Sequence, residues 1–463
     1  MLTPDDCSRI LETLLSTGAD GAEIYQEKVH RLRLVVDDGS PDSALAGNDG
    51  GVALSLFQED RIFSTNGNDT DPAAVLAAAV RLAASLNGAP QRAPATWWRP
   101  PGTSPSPIQI PPRTIAPEQK MNLLLRADRH ARGMDSRVDQ VAVRYLETVQ
   151  EILVARSEGD LARDHRTLLT LAVTIMAREG DEIGTGHAVA SEARGFELFD
   201  EHPPEETAGE AARLALVQLA ARPAPAGTFT VVLSSRAGGT MVHEACGHGL
   251  EGDFVEKGLS AYAGRLGEMV ASRLVSVVDD GTRPHARGSC FIDDEAVPTQ
   301  RVVLIQDGRL KGFLHSRQSA RRMQVPSTGN GRRESFRHLP IPRMRNTMIV
   351  PGKTAPEEIV ASVKDGLFIA SMGGGEVDIA SGHFVFNCPE AYRIRNGRIA
   401  EPLRDVTLAG SGPEVLRTID MVGSDLGFQV GTCGKDGQGV PVADAQPTLR
   451  IPSLVVGGQA ASR

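Results

Sequence analysis

Aromatic side chains are scarce in this chain of 463 residues: two Trp, four Tyr and 13 Phe, 4% in all. A stacking surface for single-stranded nucleic acid needs more of them. Positive charge is also in deficit, with 49 Lys and Arg against 58 Asp and Glu and a net charge of −9. Without a basic footprint, nucleic acid is excluded as a main partner. No stretch approaches the roughly twenty continuous apolar residues of a spanning helix, so no membrane partner is expected. The opening Met1-Leu2-Thr3-Pro4-Asp5-Asp6 is acidic and polar, unlike a secretory leader. The cysteines are few, odd in number and scattered: Cys7, Cys246, Cys290, Cys388 and Cys433. In the cytoplasm, which this usage fits, a cysteine is buried, catalytic or metal-binding more often than disulfide-bonded.

What is present is the composition of a folded protein, 41% hydrophobic and 23% charged, punctuated by 48 Gly and 29 Pro. Four segments follow from the punctuation. Residues 1–89 read as α+β: Thr3-Pro4-Asp5-Asp6 starts a helix, Arg31–Val36 and Val52–Phe57 read as strands, and Asp71-Pro72 opens an Ala-rich helix. Residues 90–116 form a Pro-rich connector carrying both tryptophans, Trp97 and Trp98, which read as pins to a neighbouring domain. Residues 117–225 read as a second α+β segment, with period-two stretches between a helix from Pro117 and another over Glu205–Ala221. Residues 226–463 are Gly-rich and rich in turns, a mostly β portion in which one helix, Ala237–Leu250, carries the chemistry. The fold class is therefore α+β: mixed or antiparallel sheets with packed helices in front, and a mostly β C-terminal domain behind. A basic cluster, Arg321, Arg322, Arg332, Arg333 and Arg337, reads as a solvated loop or an intramolecular ion-pair network.

The chemical helix contains His243-Glu244-Ala245-Cys246-Gly247-His248. It is like the zinc-protease pattern H-E-x-x-H with one residue inserted. In the shorter pattern the two histidines share a helix face, and the Glu acts as general base. At a spacing of five residues the imidazoles stand about 140° apart on a regular helix. They converge only if the helix carries a one-residue insertion, a π-bulge, and Gly247 lowers the cost of one. A third ligand must come from elsewhere. Cys433 is the best placed, between Gly431 and Gly434 where the backbone can approach an ion, with Lys435 to favour the thiolate. Cys246, Cys290 and Cys388 read as packing residues, while His285, His315 and His383 stay open without a supporting pattern. Two imidazoles and a thiolate favour zinc and leave a fourth position for water. Glu251 and Asp253 read as capping or orienting the helix end, with a hydrogen bond to a ligand histidine open to either.

The run His243–Asp253 (HEACGHGLEGD) resembles the motif helix of the TldD/PmbA metallopeptidase family. So do Gly373–Ser381 (GGGEVDIAS), Met421–Asp425 (MVGSD) and Gly431–Gly437 (GTCGKDG), in matching order and spacing. Gly21-Ala22-Glu23-Ile24-Tyr25 fits the family's opening strand. Because H-E-x-x-x-H and the late cysteine are both present, the chain resembles the TldD type rather than the PmbA/TldE type, which lacks them. The resemblance implies one Zn2+ per chain on His243, His248 and Cys433, with Glu244 as general base. It implies hydrolysis of unfolded or short peptides, including modified-peptide precursors and some antitoxins. It also implies a heterodimer with a PmbA/TldE-like partner that encloses the site, with a homodimer as the other arrangement.

An oxyanion in such a site needs a further donor. The candidates are a backbone N–H of Gly373, Gly374 or Gly375, or the Tyr392 hydroxyl. The same glycine run can serve as a turn between strands, or let a peptide substrate lie against the backbone as an added strand. Two other readings stand beside the metallopeptidase. One is a non-catalytic assembly subunit with a structural metal, which the intact Glu244 opposes. The other is a hydrolase with Cys433 or Cys246 as nucleophile.

Overall fold

Long period-two stretches build the first layer. The computed structural model describes residues 1–94, 96–378 and 380–458. Ile379 of the glycine-rich motif and residues 459–463 of the fourth segment lie outside them. Strands β1 (Gly21–Asp37), β2 (Ser40–Gln58) and β3 (Arg61–Gly67) come from the first segment, and β4 (Val138–Arg156), β5 (Leu161–Glu179) and β6 (Glu182–Glu192) from the third. They form one antiparallel sheet in the order β3-β2-β1-β4-β5-β6. The two segments join where β1 pairs β4, from Glu23 opposite Arg156 to Asp37 opposite Ala142.

All four long helices of this portion cover one face of the sheet. Helix α1 (Pro4–Leu15) is closed by a capping box between Thr3 and Asp6 and buries Ile10, Leu11 and Leu14. With α2 (Pro72–Ala83) it packs on Ile24, Leu54 and Leu153 at one end of the sheet. Helices α3 (Pro117–Met134) and α4 (Pro204–Leu219) cover Leu34, Val143 and Leu171 at the other end. Residues two apart along a strand share a face, so Ile24 and Leu34 point to the helices while Tyr25 points away. The connector is fastened to the sheet by its tryptophans. Trp97 packs against the α1–α2 core, and the Trp98 backbone exchanges hydrogen bonds with Gly159 and Leu161 at 2.8 and 2.9 Å.

The C-terminal portion is mostly β. One ten-stranded mixed sheet contains β7 (Arg222–Pro223), β8 (Gly227–Leu233), β13 (Asp365–Ser371), β14 (Gly375–Val377), β15 (His383–Cys388), β16 (Glu390–Arg395), β17 (Arg398–Arg404), β18 (Val406–Ser411) and β21 (Leu449–Gly457). Its order is β14-β15-β18-β21-β8-β13-β16-β17-β7, with Met421–Val422 paired on β21. A second sheet of six strands contains β9 (Val277–Asp280), β10 (Arg301–Gln306), β11 (Arg309–Leu310), β12 (Thr347–Ile349), β19 (Gly427–Lys435) and β20 (Gln438–Gln446), in the order β11-β10-β9-β12-β20-β19. The largest core of the protein lies between these sheets and includes Val231, Met241, Cys246, Ile369 and Val442. Strands β14 and β19 each end a sheet, and that placement matters for the site.

The two portions meet on the bare face of the first sheet. Tyr25, Ala53, Ile152 and Val154 pack there against Ile292, Ala296 and Phe336. Gly51 in β2 makes room, because a Cβ there would stand 2.4 Å from the Phe336 ring. Four arginines of the basic cluster are ion-paired, as an intramolecular network requires: Arg333 with Glu23, Arg337 with Asp49, Arg322 with Glu256 and Arg321 with Asp20. Removing the apolar wedge tests this junction. Phe336→Ala is expected to cost about 3–5 kcal/mol in chemical denaturation of the full chain, the usual range for a buried aromatic. A loss below about 1 kcal/mol would mean that the junction collapses around the gap.

Candidate metal centre

The motif does not lie on one continuous helix over Ala237–Leu250. Gly238 adopts a φ of +65° and packs its backbone on Gln429, where a Cβ would fall 2.2 Å from the Gln429 Cβ. The chain restarts as a short α-turn at Thr240–Val242 and widens to a π-turn over His243–Gly247. It then tightens to a 3₁₀ turn over His248–Leu250. The N–H of His248 bonds the carbonyl of His243, five residues back. This is the insertion that the spacing requires. The two rings now stand with centroids 4.9 Å apart and planes at 86°. Gly247 is fixed by packing, since a Cβ there would meet the Met344 sulfur at 2.1 Å.

The third group arrives on the hairpin β19–β20. Its turn, Asp436-Gly437, has positive φ at both residues, 50° and 72°, the geometry of a two-residue hairpin. The register pairs Cys433 with Val440 and Gln429 with Asp444, so Cys433 and Asp444 share the face toward the π-turn. Cys433 Sγ lies 3.2 Å from His243 Nε2 and 3.4 Å from His248 Nε2. The three potential donor atoms fall within 4.8 Å of one another. A tetrahedral zinc, with bonds of about 2.3 Å to sulfur and about 2.0 Å to nitrogen, sets such atoms about 3.5 Å apart. The chemistry of the set fits as well.

Each imidazole is oriented from behind. His243 Nδ1 faces Asp444 Oδ1 at 2.9 Å and His248 Nδ1 faces Glu251 Oε2 at 3.0 Å. A carboxylate only accepts, so each Nδ1 carries a proton and each Nε2 is the atom turned toward the centre. Asp444 was not foreseen. Its signal lay in the hairpin, because counting outward from Asp436-Gly437 brings it to the face of Cys433. Lys435 acts differently from the expectation. Its ammonium sits on Glu251 at 3.0 Å, Asp253 at 2.7 Å and the Pro342 carbonyl at 3.1 Å, and not on the thiol.

The electrostatics follow from these contacts. Burial pushes the Cys433 thiol up, but hydrogen bonds and charge from His243 and His248 outweigh it and bring the pKa to about 5. Burial likewise opposes charge on His248, yet the Glu251 carboxylate raises it to about 9. His243 rises well above its ordinary value against the same penalty, through Asp444. Glu251 is held at about 2 despite burial by His248 and Lys435. Glu244 is shifted upward by burial. Its side chain borders a cavity of about 790 Å³ that is also lined by His243, His248 and Cys433.

Gly373, Gly374 and Gly375 line that same cavity, together with Gln429–Lys435 of β19. Tyr392 is not brought to it. Its hydroxyl donates to Glu390 at 2.7 Å on β16, where Glu390 also binds Arg213. The other four cysteines are buried and unpaired. In the chain stripped of metal by a chelator, alkylation of Cys433 is expected to accelerate as pH rises, with a midpoint at about 5. Cys246 and Cys388, raised to about 12 by burial, should stay inert. Mass spectrometry of iodoacetamide adducts across pH reads this, and a midpoint at the ordinary thiol value would place the imidazoles away from the sulfur.

Comparison with known proteins identifies the family. Three family models match in order: PmbA/TldA metallopeptidase domain 1 over residues 22–86, its central domain over 110–219 and its C-terminal domain over 226–458. A metalloprotease TldD homolog of Buchnera aphidicola is 44% identical over 357 residues, covering 75% of this chain and 74% of that protein. The homolog of Haemophilus influenzae is 44% identical over 355 residues, with the same 75% and 74% coverage. A zinc metalloprotease TldD homolog of Saccharolobus solfataricus is 29% identical over 342 residues, 74% of this chain and 76% of that one. The solved structure of TldE from Thermococcus kodakarensis shares the fold, with a TM-score of 0.76 at 18% identity over 98% of this chain and 99% of that one. The chain belongs to the PmbA/TldD metallopeptidase family.

Proposed function

We propose that this protein is a zinc-dependent peptidase of the TldD type that hydrolyses short or unfolded peptides. The observation that carries the reading is the convergence of His243 Nε2, His248 Nε2 and Cys433 Sγ beside the Glu244 carboxylate, at the edge of a cavity. His243, His248 and Cys433 would hold one zinc ion per chain. When bound there, zinc supplies Lewis acidity that polarises a scissile carbonyl and eases deprotonation of water. Asp444 and Glu251 keep both Nε2 atoms aimed inward. Glu244 is the general base: its carboxylate takes a proton from the attacking water and passes it to the leaving amine nitrogen. Its upward shift by burial brings it nearer the pH range in which it must both take and release that proton.

The shape of the cavity supports an extended substrate. Its walls include Gly373–Gly375, leading into the terminal strand β14, and Gln429–Lys435 of the terminal strand β19. Each is the last strand of its sheet, so a peptide lying between them can be gripped through its main chain with little demand on sequence. A backbone N–H of the glycine run is the oxyanion donor in this reading. Family membership and the shared fold with TldE support a PmbA/TldE-like partner subunit, with pairing of two copies of this chain as the alternative.

The Cys433–His243 contact also suits a thiolate nucleophile, so a chelator separates the two readings. Peptide cleavage should stop with the chelator and return with zinc; cleavage by the stripped chain would establish the cysteine route. Glu244→Gln is expected to lower cleavage at least about 100-fold. Zinc content should stay near one per chain. Cys433→Ala should lose most of the metal. Asp444→Asn should weaken zinc binding about 10- to 100-fold in a competition with a chromogenic chelator, the usual cost of losing an orienting carboxylate. Full cleavage by Glu244→Gln, or full metal occupancy in Cys433→Ala, would overturn the corresponding assignment.

A further inference from the structure

The hairpin β19–β20 has a second face, and it is walled by arginines. Thr432 and Pro441, which pair across the hairpin, line a separate cavity of about 330 Å³. Gln150, His165 and Thr167 of the first sheet form its other side. Six guanidinium groups border it, those of Arg31, Arg166, Arg287, Arg332, Arg333 and Arg345, against the carboxylates of Asp294 and Glu334. Two of the six are neutralised: Arg166 by Asp164 and Asp294 at 3.1 and 2.7 Å, and Arg333 by Glu23 at 2.5 Å.

Arg287, Arg332 and Arg345 are not. Among the described residues, their guanidinium groups hydrogen-bond only neutral partners, with the Asp294 carboxylate acting on Arg332, and those of Asp293 and Asp279 on Arg345, at longer range. Arg287 donates to the Gly431 carbonyl at 3.1 Å and to the hydroxyls of Thr170 and Ser191. Arg332 donates to the carbonyls of Met344 and Pro441 at 2.5 and 2.7 Å. Arg345 donates to the Gly329 carbonyl at 2.9 Å and to Cys290 Sγ at 2.8 Å, while its Nη2 has no partner. Asp279 takes the Arg345 backbone N–H and not its guanidinium. Arg332 and Arg345 are only 7% and 2% exposed.

A guanidinium does not shed its proton under ordinary conditions, so Arg332 and Arg345 carry their charge into the interior and Arg287 carries its own at a half-buried wall of the cavity. Carbonyl dipoles offset that cost only in part, and a buried cation without a counter-charge is strongly unfavourable. Burial alone lowers Arg287 to about 10, and burial with the neighbouring Arg345 charge lowers Arg332 to about 9 against the pull of Asp294. Three forks around one cavity match an anion with several acceptor oxygens better than a single carboxylate. The chain as a whole is acidic, at −9, so this positive pocket is a local feature.

We propose that the cavity binds a phosphate-class oxyanion, inorganic phosphate or the phosphoryl group of a small molecule, through Arg287, Arg332 and Arg345. The site lies outside the peptidase cavity and does not depend on the peptidase reading. Isothermal titration of the full chain with inorganic phosphate, and separately with glycerol 2-phosphate, tests it against sodium chloride and sodium acetate at matched ionic strength. Saturable binding of one phosphate per chain is expected, with a rise in melting temperature that chloride and acetate do not reproduce. Tighter binding of the phosphomonoester would assign the site to a phosphorylated small molecule, and tighter binding of phosphate to the free ion. Arg287 is only half-buried and bonds neutral groups, so Arg287→Gln should fold. It should weaken phosphate binding about tenfold or more, the value of a charged hydrogen bond. Cys433→Ala should bind phosphate as the parent does, which separates this site from the metal centre. Absence of saturable binding, equal response to acetate, undiminished binding by Arg287→Gln, or loss of binding in Cys433→Ala would each overturn the proposal.

Discussion

One hydrogen bond decides whether His243, His248 and Cys433 can converge at all. If the His248 N–H reached back four residues instead of five, the imidazoles would diverge by more than a third of a turn and Cys433 could face only one of them. The wider turn leaves a thicker backbone that must be accommodated. It is accommodated by Gly247 against Met344 on one side and by Gly412 against Ala245 on the other, where a Cβ would come within 2.1 and 2.4 Å respectively. The core around the motif is therefore shaped to the wider turn. An alanine in place of either glycine would push on the turn before it touched a ligand.

The hairpin β19–β20 supplies the remaining constraint. Because a strand alternates its faces, one register fixes Cys433 and Asp444 toward the histidines and Thr432 and Pro441 toward the arginine cavity. A slip of one residue would invert both faces together. Arg343 guards against it: fully buried, it donates to the backbone carbonyls of Cys433 and Gln438 and stands 3.9 Å from Glu251. The same guanidinium thus ties the cysteine strand to the carboxylate that orients His248.

How far the sequence discloses this depends on the range of each interaction. Helix starts at Thr3, Asp71 and Pro117 are local: the first two elements begin where a side-chain cap places them, and the third where Pro117 takes the first helical position. The strands Arg31–Val36 and Val52–Phe57 are legible only as fragments of much longer ones. The residues between them extend both strands into an exposed hairpin, where no burial pattern marks them, and Gly21–His30 of β1 is buried on both faces and lacks a simple alternation. Spacing alone announced the π-turn, because two histidines five apart have no other way to converge. Asp444 and Arg343 left no comparable trace, since each acts through a pairing or a packing contact made far along the chain. Lys435 carries the opposite lesson. Its place beside Cys433 in sequence suggested help for the thiolate, but residues two apart on a strand share a face without sharing a partner, and its ammonium reaches Glu251 and Asp253 instead.

The front portion matters to the centre through charge as much as through packing. Glu23, in the opening strand, is buried between Arg156 of its own sheet and Arg333 of the C-terminal portion, and the Arg333 guanidinium lies 4.1 Å from the Tyr25 ring centroid. Arg333 in turn donates to the Asp294 backbone, while Asp294 pairs with Arg166 of β5. These pairs interlock the first sheet with the loops that support β9 and β12. Removing one member would leave its partner charged in a dry junction, which costs more than the pair contributes. The junction therefore resists piecemeal change, and the arginine cavity lies within it. The geometry of the hairpin face that carries Cys433 and Asp444 rests on an interface held by buried ion pairs.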